Sequence, residues 1–285
     1  MADIDVTPTM VQQEQILSVD IMFIQKLAVL IGVATPLDLT LATSLSSLDL
    51  LRPSRAADIV KKGLQYFLGV LSSQNFKTRL IMTDGEGALA KLKTELNALG
   101  IEVDVSGAGG HVARVERRIQ VVKERVRTHT HHLPFTPSLL VLLLLILYCV
   151  SRLNYEPSSV RGWTASPREL FTGRKADAKR DFRCAFGDYV QCTVSNTSNS
   201  LKERTEDAVV MLPTGNRTGS VRMLALRTGK IITRDYFRVL PMPLSVIETL
   251  NRMAAADGIT TTRTHTVSTN SIRDFDHAPS HLTPP

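Results

Sequence analysis

From Leu139 to Val150 the chain is an uninterrupted run of 12 apolar residues, and a helix built from such a run has no face that can rest in water. About 20 apolar residues are needed to cross a bilayer, and Ser151, Arg152 and Asn154 follow at once. The run therefore predicts a helix buried on nearly all sides within a globular core, not a membrane span. With 285 residues, 43% of them apolar, the chain has enough material for such a core and a length that suggests about two domains.

The segments before this helix alternate between two periodicities. Leu17, Val19, Ile21 and Phe23 recur every second residue, the pattern of a strand with one buried face. Leu27 to Val33 is a second β-type run and Leu37 to Leu45 a weaker third, which suggests an antiparallel meander. After Pro53, Ile59, Val60, Leu64, Phe67, Leu68 and Leu71 carry helical spacing. Arg79 to Asp84 reads as a short strand, Leu89, Leu92, Leu96 and Leu99 as a helix closed by Gly100, and Ile101, Val103 and Val105 as a fifth strand. The order β-β-β-α-β-α-β, then two helices, predicts a mixed five-stranded sheet flanked by helices within residues 15–155. Residues 1–14 are polar and are expected to form a disordered arm.

Beyond Trp163 the character changes to short β-type runs at Phe186 to Val194, Ala208 to Leu212, Ser220 to Leu226 and Lys230 to Arg234. Turn signals at Pro213-Thr-Gly215 and Thr228-Gly229 separate them. Residues 156–243 thus predict a linker and a small β-barrel-like domain, and residues 244–285 a short helix over Leu244 to Ala255 followed by a disordered tail.

The charge balance, 34 basic against 27 acidic residues, suits a polyanionic partner. Three cysteines, Cys149, Cys184 and Cys192, match no zinc spacing and leave an odd count, which fits a reducing compartment better than a disulfide framework. The sequence Thr128-His-Thr-His-His132 is read as a polar helix end, and Trp163 as a packing anchor.

One stretch carries the chemistry. Gly107-Ala-Gly-Gly110 leads into a basic amphipathic helix in which Val112, Val115, Ile119, Val122 and Val126 form an apolar stripe, and Glu116, Gln120, Lys123 and Arg127 form a second stripe beside it. Glu116 is either an ordinary surface acid among cations or a functional carboxylate. Asp20 lies mid-strand among apolar residues, where it needs a compensating cation or a place at the sheet's open end. Asp84 ends a strand just before a helix; it either caps that helix or belongs to a site at the strands' carboxyl ends. If the first and fourth strands are neighbours, Asp20 and Asp84 face each other, and Glu116 is brought to them by the helix. Three converging carboxylates need a divalent cation, and all-oxygen donors point to Mg²⁺ or Mn²⁺.

Leu17-Ser-Val-Asp20-Ile-Met-Phe, Thr83-Asp84-Gly-Glu-Gly and Gly110-His-Val-Ala-Arg-Val-Glu116-Arg-Arg resemble the Asp, Asp, Glu core of retroelement integrases, on the ribonuclease H-like fold. The resemblance is to copia-type retrotransposon integrases in particular. It continues through His132-Leu-Pro-Phe-Thr-Pro137, Trp163-Thr-Ala-Ser-Pro-Arg-Glu-Leu-Phe-Thr-Gly173 and Gly219 to Asp235. It implies a DNA integrase in which Asp20, Asp84 and Glu116 are catalytic and bind Mg²⁺ or Mn²⁺, with Lys123 near the element's DNA end. Arg117, Arg118 and Arg127 complete the expected nucleic-acid contacts. The implied partners are double-stranded DNA, both element ends and target, and further copies of the chain in a homo-oligomer, with no membrane. The implied location is the nucleus, with a cytoplasmic particle stage for an active element. Glu116 follows Asp84 by 32 positions, fewer than is usual in that family, and no His and Cys set precedes Asp20. A fragment or relic of an element polyprotein is therefore expected, and a DNA-binding relic without catalysis is the alternative function.

Overall fold

The computed structural model describes residues 13–45, 57–84, 92–106, 113–157, 164–194 and 203–259. Strands β1 (Glu14–Ile24), β2 (Leu27–Thr35) and β3 (Leu39–Ser44) form the expected antiparallel meander. Helix α1 (Ala57–Ser72) then crosses to β4 (Lys77–Asp84), and the short helix α2 (Lys93–Ala98) to β5 (Glu102–Ser106). Both crossovers return the chain parallel, so the sheet order is β3-β2-β1-β4-β5 with β1 in the centre. This is the mixed five-stranded sheet flanked by helices that the sequence predicts.

The period-2 pattern of the strands decides which helices cover which face. Leu17, Val19, Ile21, Leu30 and Ile81 pack with Val60, Leu64, Phe67 and Leu71 of α1. Gly32 is required there, because a Cβ on it would meet Phe67 Cε2 at 2.9 Å. The opposite face, with Met22, Val29, Ile31 and Val33, is covered by α3 (Ala113–His132) through Val115, Ile119, Val122 and Val126, and by α4 (Leu139–Leu153). Leu96 of α2 is buried while Leu99 is exposed, and Gly100, at φ +75°, closes that helix as expected.

Short helices α5 (Pro167–Thr172) and α6 (Ala178–Asp181) lead into β6 (Tyr189–Thr193), β7 (Thr205–Pro213), β8 (Val221–Ala225), β9 (Ile231–Arg234) and β10 (Phe237–Val239). These five antiparallel strands take the order β10-β6-β7-β8-β9. Only two residues separate β9 from β10, yet they lie at opposite ends of that order, so the sheet curls on itself. Arg234 spans the closure: its Nε donates to Thr193 O at 2.8 Å and its guanidinium pairs with Glu206 at 2.8 Å. Two details differ from the sequence reading. Strand β6 begins at Tyr189, not Phe186, because Asp188 Oδ2 accepts from Ala185 N and Gly187 takes φ +90°, which makes a turn. Strand β10 carries too few residues to show a period.

Helix α4 explains its own composition. It packs on β3 of the first sheet and on β7 of the second, so Leu139, Leu142, Leu145, Ile146, Cys149 and Val150 meet apolar side chains whichever way they point. Helix α7 (Leu244–Ala256) joins the same core through Val246 and Leu250. Its Asn251 accepts from Thr136 N at 2.8 Å, and Asp257, just beyond it, accepts from Leu139 N at 2.7 Å. That places a carboxylate at the positive end of α4. No helix among the described residues is long and apolar enough to cross a membrane. Residues 1–12, Pro53, Leu89, the segments 85–87 and 107–112, Trp163 and the tail from 260 lie outside the described residues.

Candidate active site

The pairing register brings the two aspartates level. The parallel β1–β4 ladder ends on Val19 opposite Thr83, so the next residues along the two strands are Asp20 and Asp84. On its other side Asp20 is paired with Ile31 of β2, and Asp84 with Ser106 of β5. Because side chains alternate, Asp20 shares with Met22 the face that α3 and α4 cover. Asp20 is half-buried there, and its Oδ1 accepts from Ile21 N at 2.6 Å.

Helix α3 supplies the third acid. Its apolar stripe turns toward the sheet, and Glu116, Gln120, Lys123 and Arg127 remain exposed along the rim. Glu116 stands in the first turn and is exposed. Its charge is felt at Asp20. Burial pushes the Asp20 carboxyl above its ordinary value of 3.8; the Ile21 amide opposes this, Asp84 and Glu116 add to it, and Lys123 offsets part of it. Asp20, Asp84, Glu116 and Lys123, four of the seven charged residues that the sequence singled out, thus share one electrostatic neighbourhood.

Carboxylates brought near one another repel unless a cation lies between them. Among the described residues, no three His, Cys, Asp or Glu side chains stand close enough together to hold one ion. The donor chemistry nonetheless fits a hard divalent cation, since Mg²⁺ keeps several waters and is commonly held by only one or two carboxylates. Asp20 and Asp84 are the two carboxylates that the register brings level, and Glu116 is the third whose charge reaches Asp20.

The arginines divide by partner. Arg117, Arg127 and Lys123 are exposed and point their charge at solvent. Arg118 is paired with Asp38 at 2.8 Å, both side chains being less than one-fifth exposed. Arg114, which the sequence reading passed over, donates to Thr35 Oγ1 at 2.8 Å. The i, i+4 spacing of Arg114 and Arg118 could have flagged a shared role, but their partners lie some 80 residues earlier. Asp181 was missed as well. It is buried, pairs with Arg180 at 2.9 Å and Arg168 at 3.8 Å, and accepts from Asp177 N at 2.9 Å.

The remaining reactive groups are occupied in packing. His132 Nδ1 lies 2.8 Å from Thr128 O, and His129 stacks edge-on against Tyr148. Burial and the neighbouring His132 and Arg125 lower the His129 pKa, which keeps that ring neutral. Burial also pushes the Cys149 thiol up to about 12 and those of Cys184 and Cys192 to about 11, so none of the three is a ready nucleophile.

No protein family matches the sequence, and no curated protein does. Among solved structures, the chain is similar to the HTLV-2 integrase catalytic core domain in complex with magnesium, in its trimeric form. The identity is 15% and the TM-score 0.41, over 55% of this chain and 95% of that one. The BIV integrase catalytic core domain gives 15% identity and a TM-score of 0.41, over 55% of this chain and 93% of that one. At that level of likeness the chemistry of the site has to be read from its own residues.

Proposed function

We propose that the chain is a DNA integrase of the copia retrotransposon type, acting by metal-dependent polynucleotidyl transfer. One observation carries this reading: the parallel register sets Asp20 beside Asp84, and the charge of Glu116 acts on the same carboxyl. Asp20 and Asp84 would hold Mg²⁺ or Mn²⁺ together with Glu116. When bound, such ions activate a hydroxyl or water and stabilise the leaving oxygen of an in-line phosphoryl displacement. The protein's own contribution is positional. The central strands hold the two aspartates rigidly, and Lys123, Arg127 and Arg117 on the rim of α3 offer cations to DNA phosphates. In the first reaction water cleaves a phosphodiester near the element's end; in the second the new 3′-hydroxyl attacks a target phosphodiester, and each P–O bond formed replaces one broken. A nuclear location, double-stranded DNA partners and a homo-oligomer accompany this reading.

The test is direct. With Mg²⁺ the full chain should nick or join an oligonucleotide duplex, and Asp84→Asn should abolish both; activity retained in that variant refutes the assignment. A second reading, a relic that only binds DNA, is favoured by the absence of a closed three-carboxylate group among the described residues and by the 32-position interval from Asp84 to Glu116. It predicts salt-dependent duplex binding with no metal-dependent cleavage, unchanged by Asp20→Ala.

A further inference from the structure

Apolar contacts are non-directional, so the stripe of α3 fixes the height of that helix over the sheet better than its roll about its own axis. Roll matters for Glu116. On a helix turning about 100° per residue, Val115, Ile119 and Val122 define the sheet-facing direction. Glu116 and Lys123 then fall to one side of it, and Arg114 and Arg118 to the other. The two arginines tie α3 to the first sheet by side-chain hydrogen bonds. Arg114 donates to Thr35 Oγ1 at 2.8 Å, and Arg118 to Asp38 Oδ1 at 2.8 Å. Both partners lie at the connection between β2 and β3.

That connection is itself anchored to the strand carrying Asp20. Gln15, fully buried on β1, accepts from Leu37 N at 3.0 Å. Asp38 adopts φ +59°, a left-handed conformation that Asp tolerates better than most residues. A polar path therefore runs from β1 through Gln15, Leu37, Asp38 and Arg118 to α3, the helix that carries Glu116.

We propose that Asp38 with Arg118, supported by Thr35 with Arg114, is a positioning clamp that sets the roll of α3 and so the place of Glu116 opposite Asp20. The scale of the effect follows from geometry. A carboxylate on the helix surface lies about 6 Å from the axis, so a roll of about 10° moves it about 1 Å. Metal–ligand distances tolerate only about 0.2 Å. The pull is applied on the flank opposite Glu116, so it acts on roll without occupying the site. Arg118 accordingly serves the fold of the site and not the DNA.

As a claim about metal binding, this rests on the integrase reading, and the experiment separates the two. Mn²⁺ alone is titrated into the full chain and free ion is followed by paramagnetic resonance, for the wild type, Asp38→Asn, Arg118→Met and the double variant. Each single variant should weaken Mn²⁺ binding about tenfold, the scale of lost outer-shell support, and the double variant no more than either alone. Thermal midpoints should stay within about 4 °C, as a partly exposed ion pair contributes little stability. Wild-type affinity in Asp38→Asn, or single losses that multiply in the double variant, overturns the clamp. If the wild type itself fails to bind Mn²⁺, the active-site reading falls, and amide exchange decides the clamp instead. Asp38→Asn should speed exchange of the amides of residues 117–120; unchanged exchange overturns it. Should Asp38→Asn not fold, Arg114→Met and Thr35→Val test the second tie in the same two measurements.

Discussion

Asp181 is where removing one charge should cost the fold most. Its side chain is 3% exposed and sits between Arg180, at 2.9 Å and 23% exposed, and Arg168, at 3.8 Å and 11% exposed. Replacing it by Asn keeps the volume and an oxygen for the Asp177 amide, and removes only the charge. Losing one partner of a buried ion pair typically costs 3–5 kcal/mol, because the other charge is left uncompensated. Two features of the structure reduce that figure. Arg180 can turn to water, and the Arg168 guanidinium also lies over the Tyr155 ring, 4.6 Å from its centroid. The expected loss for Asp181→Asn is therefore about 3 kcal/mol, at the lower end of that range. Its pH dependence is fixed by sign. Burial alone would raise the Asp181 carboxyl, but the Arg180 hydrogen bond, the Asp177 amide and the charge of Arg168 outweigh it and hold it below its ordinary value of 3.8. A depressed carboxyl stabilises the fold above the unfolded value and loses that contribution as pH falls through the folded one. Urea unfolding of both proteins at pH 7 and at successively lower pH measures this. A difference below about 1 kcal/mol at pH 7, the scale of an exposed pair, or one that does not shrink in acid, refutes the reasoning.

Three other perturbations probe different parts of the structure. Gly187→Ala forces a side chain onto a residue at φ +90° and sets its Cβ 2.5 Å from Leu133 Cδ2. A loss above about 2 kcal/mol is expected in denaturant unfolding, and an unchanged midpoint would show that the turn before β6 can relax. Leu145→Ala empties a fully buried position on α4 between the two sheets. It should cost about 2–5 kcal/mol and lower the unfolding of both sheets together; a separate second transition would show that they unfold independently. Asp20→Asn should stabilise the protein at pH 7. With its folded pKa above the ordinary 3.8, the ionised carboxylate opposes folding once pH exceeds that value. The gain should fade as pH approaches 3.8, and the absence of any gain in a thermal melt at pH 7 would mean that Asp20 is better solvated than its burial implies.

Much of this architecture was legible because local periodicity records which way each segment faces. Leu17, Val19 and Ile21 repeat every second residue and line one face of the sheet; Val115, Ile119, Val122 and Val126 repeat at helical spacing and line α3. The run from Leu139 to Val150 announced a buried helix. What it could not announce was the identity of the burying surfaces, since a helix apolar all round carries no direction. That the second sheet supplies some of them, through Val209, Met211 and Leu224, and that α7 closes the same cluster through Val246 and Leu250, depends on contacts between residues far apart in sequence. Strand β10 and helices α5 and α6 escaped for a different reason: three to six residues are too few to show a period at all.

The candidate site divides along the same line. Asp20 and Asp84 could be set side by side from sequence, because a mid-strand acid and a strand-ending acid in a sheet with neighbouring first and fourth strands have few other places to go. Arg117 and Arg118 could not be told apart by composition, as both are cations on a helix that also carries Lys123 and Arg127. Their difference is geometric. Arg118 lies one helical turn from Arg114, on the flank of α3 nearest Asp38, and is half-buried there, whereas Arg117 is exposed. A cation paired with a half-buried acid is a poorer phosphate ligand than an unpaired one, because turning it outward would leave that acid without its partner. The basic helix therefore carries exposed cations on one flank and paired ones on the other. On the proposed reading, the exposed cations on the Glu116 side would meet a polyanion, and those on the Asp38 side would keep Glu116 where the aspartates can use it.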